Sequence, residues 1–125
     1  MTRVAITGLG AVSPTGVGVE AAWDALKAGR SGITPITHFD ASEYTTRFAG
    51  YCHDFDPVPV LGAKESRRMS RFQQFAMVAA AEALEMAGLT EIDDELAPRA
   101  GCIIGSGIGG LGLMEEQHDV LRARG

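Results

Sequence analysis

The sequence is poor in cysteine, in aromatic side chains and in positive charge. Its 125 residues include 2 cysteines, and only 6% are Phe, Trp or Tyr. Two cysteines cannot supply the framework of a disulfide-stapled domain or the ligand spacing of a structural zinc site. The formal net charge of −5 at pH 7 argues against general nucleic-acid binding.

Long apolar runs and targeting signals are also missing. No run reaches the about 18 apolar residues that a membrane-spanning helix requires, and residues 1–10 lack a basic segment followed by a long apolar stretch. We therefore expect a cytoplasmic protein without a membrane partner. The length and the 46% hydrophobic content suit one modest globular domain with a real core.

The histidines and cysteines form no metal or catalytic cluster in the sequence. His38, His53 and His118 are far apart, so the sequence predicts no metal site. Cys52 and His53 are adjacent, but neighbours in an extended segment point to opposite faces, which disfavours a Cys–His dyad. Cys102 lies in an apolar stretch and is predicted to be a small core residue.

The periodicity of the hydrophobic residues predicts the helices and strands, and glycine and proline mark where these elements end. The predicted elements are strands over 3–10 and 100–106, helices over 19–29, over 66–87 and from Leu111, and a short strand pair within 46–52. Crossover helices between strands predict an α/β fold with parallel strands. The second half of the helix over 66–87 is apolar nearly all round, apart from Glu82 and Glu85, and is expected to be mostly buried.

The stretch 105-GSGIGGLG-112 matches the G-x-G-x-x-G pattern of dinucleotide-binding loops through Gly105, Gly107 and Gly110. That motif needs an acid about 20 residues further on for the ribose, and only 15 residues follow Gly110. Nucleotide binding stays open as the less favoured hypothesis. The loop offers instead a glycine-dense backbone around one bulky apolar side chain, Ile108, which suits the wall or gate of an apolar cavity.

A basic cluster stands out on the acidic chain. Four cations against Glu65 give +3 within eight residues, which leaves −8 on the rest; the cations are Lys64, Arg67, Arg68 and Arg71. Such a patch favours a local acidic partner. A solvated helix end is the alternative that charge alone leaves open.

Five stretches, taken in order, carry a resemblance that extends over essentially the whole chain. They are 4-VAITGLGAVSPTG-16, 29-GRSGITPITHFDAS-42, 47-RFAG-50, 64-KESRRM-69 and 105-GSGIGGLGLMEE-116. They resemble the N-terminal part of the β-ketoacyl-[acyl carrier protein] synthase II family, condensing enzymes of fatty-acid synthesis. The resemblance implies that residues 1–125 form an incomplete N-terminal portion of a synthase domain with the α/β thiolase-like layered fold (α-β-α-β-α), working as a homodimer.

The resemblance also implies a reaction. In that family a cysteine takes an acyl group from its carrier protein, malonyl-carrier protein loses CO₂, and the resulting carbanion attacks the acyl thioester. No cofactor is expected. The nucleophilic cysteine and the two assisting histidines of the family lie beyond the position that matches Gly125. We therefore expect no catalytic residue within this sequence and no activity from it alone.

Two sites follow from the resemblance. Lys64, Arg67 and Arg68 match basic residues that dock the acidic acyl carrier protein. Ile108, with Gly107 beside it, matches the residue that gates the acyl-chain pocket near the dimer interface. A non-catalytic, chain-length-determining partner of a synthase remains an alternative, as does the nucleotide-binding domain.

Overall fold

The computed structural model describes residues 3–125, which form four α-helices and two small β-sheets. The helices are α1 (Val19–Lys27), α2 (Val58–Ser66), α3 (Arg71–Met86) and α4 (Leu111–Arg124). The strands are β1 (Val12–Ser13), β2 (Gly16–Val17), β3 (Ile33–Pro35) and β4 (Phe48–Gly50), and a 3₁₀ turn spans Ala97–Arg99. Within residues 3–125, no helix has the length and apolar character needed to cross a membrane.

Helix α3 is the element against which residues 8–12 pack. It begins where the Ser70 backbone N–H donates to the Gln73 side chain over 2.8 Å, half of a capping box that satisfies free groups at the helix start. A Cβ atom on Gly8 or Gly10 would collide with the carbonyl oxygens of Ala83 and Ala79. The small side chains of α3 therefore let another backbone approach closely.

Helix α1 receives its N-terminal cap from α3. Its own N-cap residue, Gly18, has no side chain to accept the free N–H groups. The Glu82 carboxylate supplies the acceptor, since one oxygen accepts the Val19 N–H at 2.7 Å and the other accepts the Ala11 N–H at 2.9 Å. This negative charge also lies at the positive end of the α1 dipole.

The two long strands predicted from the sequence are wrong for the chain as described. Residues 3–10 and 100–106 pair with no other segment of residues 3–125, and both sheets that do form are antiparallel rather than parallel. Ile103 is 97% exposed and Cys102 is exposed rather than in a core. The apolar pattern specifies burial, but a strand forms only beside a partner, and the described residues provide none.

The short strand within 46–52 does form, but its partner lies elsewhere. Strand β4 pairs with β3, with Ile33 opposite Gly50 and Pro35 opposite Phe48. The sequence predicts a pair inside 46–52, so the strand is confirmed and its pairing is wrong. This hairpin leads the chain back toward α2, where the predicted carrier-binding residues begin.

Little of the apolar surface is buried by the chain itself. The buried hydrophobic residues are Ala22, Ala25, Ala41, Cys52, Phe55 and Val78. Within α3 only Val78 is buried and most other positions are half-buried, so the expectation that this helix is mostly buried is not met. The chain of 13.2 kDa exposes 10148 Å², whereas a compact monomer of this mass exposes about 6,400 Å². Apolar faces of α1 and α3 therefore remain without a covering layer.

Candidate functional site

The predicted carrier-binding residues lie on one exposed segment at the end of α2. Gly62 interrupts this helix with φ 75° and ψ 156°, and the Ser66 hydroxyl donates to the Gly62 carbonyl over 2.7 Å. Lys64 follows the break, and Arg67 forms the C-cap with Arg68 directly after it. All three side chains are exposed, so they are available to a partner as a group.

Gln74 of α3 fixes the backbone of this segment. Its side-chain amide donates to the Ser66 carbonyl over 2.7 Å and to the Met69 carbonyl over 3.2 Å. Carbonyls at a helix end lack a partner within the helix, and the amide adds to the long 3.4 Å hydrogen bond that the Ser66 carbonyl accepts from the Met69 N–H. Sequence reasoning missed Gln74. The only signal was a glutamine next to the capping pair Ser70 and Gln73, which marks the start of α3.

Arg71 does not belong to the exposed basic surface, which corrects the charge cluster predicted from the sequence. Its guanidinium donates to the Cys52 carbonyl and lies 4.9 Å from the Tyr51 ring centre, 5.4 Å from that of Phe55 and 5.0 Å from that of Phe75. The exposed patch therefore consists of Lys64, Arg67 and Arg68 together with Glu65, and we call these four residues the basic patch.

Cys52 is a buried structural thiol. Burial raises its pKa, against the opposing influence of the Arg71 charge. The protonated thiol is a poor nucleophile. The neighbouring His53 turns away to Thr34, with 3.1 Å between Nε2 and Oγ1, so the two residues form no dyad, as expected.

The glycine-rich loop leads directly into α4. The Gly109 N–H donates to the Ser106 hydroxyl over 3.0 Å, and Gly109 has φ 79°, which favours glycine. A Cβ on Gly110 would collide with the Ser70 hydroxyl at the start of α3. Gly107 has no neighbour within 4 Å of such a Cβ, so packing among the described residues does not explain its small size.

Ile108 points out from the loop and is 77% exposed. Within residues 3–125 no other residue encloses the Ile108 side chain. The described residues therefore do not form a complete apolar pocket around it. The gate role of Ile108 and the associated role of Gly107 stay predictions.

One cavity joins the basic patch to the glycine-rich loop. It measures about 760 Å³, and its walls include Arg67 and Ser70 on one side and residues 109–113 with Glu116 on the other. A separate apolar groove of about 640 Å³ runs along the alanine face of α3, between residues 10–12 and residues 103–106. The fold thus brings Arg67 close to the end of the glycine-rich loop and the start of α4, whereas Gly107 and Ile108 do not line this cavity.

Comparison with known proteins decides between the open interpretations. The family model described as "Beta-ketoacyl synthase, N-terminal domain" matches residues 1–125. The chain belongs to this family. The nucleotide-binding hypothesis is displaced, since the glycine-rich loop is part of a sequence that matches a ketoacyl synthase throughout.

The relatives of this ketoacyl synthase segment include synthases from several bacteria. It is 51% identical to 3-oxoacyl-[acyl-carrier-protein] synthase 2 of Coxiella burnetii over 123 residues, which is 98% of this chain and 30% of the relative. It is 48% identical to the synthase 2 of Vibrio harveyi over 123 residues, again 98% of this chain and 29% of the relative. The segment therefore spans about 30% of the length of the relatives that it matches.

A solved structure supports the fold assignment. The segment aligns with the ishigamide ketosynthase/chain length factor at a TM-score of 0.70 and 32% identity, covering 94% of this chain and 30% of that one. The fold is the N-terminal portion of a thiolase-like fold. The expected α/β class is confirmed by this match, although the only strand pairs within residues 3–125 are antiparallel.

Proposed function

We propose that this segment is the N-terminal part of a 3-oxoacyl-[acyl carrier protein] synthase that elongates acyl chains by decarboxylative Claisen condensation in fatty-acid biosynthesis. The observation that carries the proposal is the 51% identity to such a synthase over 98% of this chain. We further propose that the complete protein is a cytoplasmic homodimer and that residues 1–125 are an incomplete part of its synthase domain.

In this proposal the basic patch receives the acyl carrier protein. The exposed cations Lys64, Arg67 and Arg68 attract an acidic partner. With Glu65 as the one acid among them, the basic patch has a net charge of +2. Opposite charges on two surfaces speed up the encounter and fix its orientation. The hydrogen bonds from Gln74 to the backbone of this segment reduce the ordering that binding would require.

The acyl chain would then pass along the glycine-rich loop. A carrier bound at Arg67 would sit at one wall of the cavity whose other wall is residues 109–113. Ile108 lies in the same loop, and a rotamer change of an apolar side chain can open or close space for an acyl chain. The open space next to Gly107 leaves room for a chain or for another backbone.

We assign docking and chain selection to this segment, and the bond-making steps to the rest of the complete protein. Acyl transfer to a cysteine, loss of CO₂ from malonyl-carrier protein and carbanion attack on the acyl thioester need an activated thiolate and oxyanion donors. The buried Cys52, with its raised pKa, is unsuited to the first of these steps.

The test is a condensation assay on the full-length protein that carries this segment. Purified protein is mixed with acyl-carrier protein and carboxyl-labelled malonyl-carrier protein, and both released CO₂ and 3-oxoacyl-carrier protein are measured. Equal amounts of the two products support the proposal. No product from the protein alone, together with activity once a second synthase-like subunit is added, would favour a chain-length partner. Saturable micromolar binding of NAD or ATP would instead revive nucleotide binding.

A further inference from the structure

The three exposed cations of the basic patch are not equivalent. Arg68 lies 3.6 Å from Glu65, measured from Nη1 to Oε1, and the two side chains are 66% and 52% exposed. Within the described part of the chain, Lys64 and Arg67 make no ion pair. The single acid of the patch thus engages one particular cation.

We propose that Glu65 is a specificity-determining residue of the docking surface, because it competes with the acidic partner for Arg68. This inference rests on the proposed docking function. An incoming carboxylate must displace the Glu65 side chain before it pairs with Arg68, and Glu65 can recapture Arg68 when the partner leaves. Lys64 and Arg67 can pair with the partner directly, whereas Arg68 can do so only after the Glu65 side chain has been displaced.

The geometry fits a competitor rather than a fixed structural pair. A separation of 3.6 Å between exposed groups is longer than a strong charge-assisted hydrogen bond, which measures about 2.7–2.9 Å. Exposed pairs of this kind are weak and screened by salt, so a partner can break the pair. A carrier surface with several acids would still pair with Lys64 and Arg67 and so lose only part of its affinity, whereas a partner with few acids could not displace Glu65 from Arg68.

The test measures the dissociation constant of apo acyl carrier protein for the full-length protein and for its Glu65→Gln variant. At about 0.1 M salt, where charges act over about 10 Å, the variant should bind about two- to five-fold more tightly, the range that an exposed pair supports. At about 1 M salt the charges act over about 3 Å, and the difference should disappear.

Helix α1 provides a matched control. Lys27 and Asp24 form another exposed pair with the same three-residue spacing, 2.8 Å apart and with side chains 56% and 55% exposed. Asp24→Asn changes the net charge by the same amount as Glu65→Gln but away from the patch. It should leave the affinity for the carrier unchanged, and equal gains from both variants would overturn the inference.

The variant Arg68→Gln separates this inference from the docking proposal. If docking is correct, Arg68→Gln weakens binding. In that variant, adding Glu65→Gln should increase the affinity less than it does in the unmodified protein, because Arg68 is no longer there to be released. Weaker or unchanged binding by Glu65→Gln, with Arg68→Gln still harmful, would overturn the competitor role alone. No effect of Arg68→Gln at low salt would instead count against the docking surface itself.

Discussion

The Glu82 carboxylate of α3 accepts the backbone N–H of Val19, the first residue of α1, over 2.7 Å. Its other oxygen accepts the Ala11 N–H at 2.9 Å. One side chain therefore joins the start of α1, the segment before β1 and the middle of α3. Glu82 interrupts an apolar helix face in the sequence, and an acid in such a position signals a specific partner.

Replacement of Glu82 by Ala should destabilise the full-length protein by about 2 kcal/mol, because two backbone N–H groups lose a charged acceptor. Denaturant unfolding of the full-length protein measures this difference. Glu85→Ala is the control, since Glu85 lies on the same helix with an exposed side chain. Equal losses from the two variants would show that Glu82 is no cap.

Arg71 and Arg67 should give opposite results. Arg71→Ala removes a hydrogen bond to the Cys52 carbonyl and contacts with three aromatic rings, so it should lower the free energy of unfolding by about 1–3 kcal/mol. Arg67→Ala should leave stability unchanged and weaken carrier binding. A stable Arg71→Ala protein with weak carrier binding would return Arg71 to the docking surface.

Ile108→Phe in the full-length protein should restrict the accepted acyl chains to short ones, because the larger ring fills space that a long chain would use. Product lengths are measured with a series of acyl-carrier substrates. Ile108→Leu keeps the side-chain volume and should preserve the profile. A chain-length profile that Ile108→Phe leaves unchanged would remove the gate role.

The 125-residue polypeptide by itself should associate. It exposes 10148 Å², which exceeds the about 6,400 Å² of a compact monomer of its mass by an amount typical of large obligate interfaces. Much of this surface is apolar, including Val4, Ile6 and Trp23. Light scattering should detect oligomers or aggregates, and a compact monomer would contradict the prediction.

Helices α1, α3 and α4 could be predicted from the sequence because their signals are local, but α2 was missed and α3 begins at Arg71 rather than at residue 66. The capping pair Ser70 and Gln73 and the alanine repeat define α3, and the predicted starts of α1 and α4 at Val19 and Leu111 are confirmed. The strands predicted over 3–10 and 100–106 were wrong because a strand needs a partner as well as an apolar pattern, and no segment of residues 3–125 pairs with either stretch. Their apolar side chains, such as Val4 and Ile103, remain exposed among the described residues.

The candidate site was predictable where it is contiguous in sequence. Lys64, Arg67 and Arg68 lie on one exposed segment, as expected. Arg71 was misassigned because charge counting does not reveal that a guanidinium turns toward an aromatic cluster. The cavity shared by Arg67 and residues 109–113 depends on how α2, α3 and α4 pack, and no local pattern specifies that.

The most direct measurement compares substrate requirements of the full-length protein after Lys64, Arg67 and Arg68 are all changed to Glu. Like charges facing an acidic carrier repel it, so KM for carrier-bound acyl substrate should rise about tenfold or more, while KM for a free acyl thioester stays unchanged. The same reversal at three other exposed cations, Lys27, Arg30 and Arg99, should affect neither substrate. Equal increases for carrier-bound and free substrate, or no increase at all, would contradict docking at the basic patch.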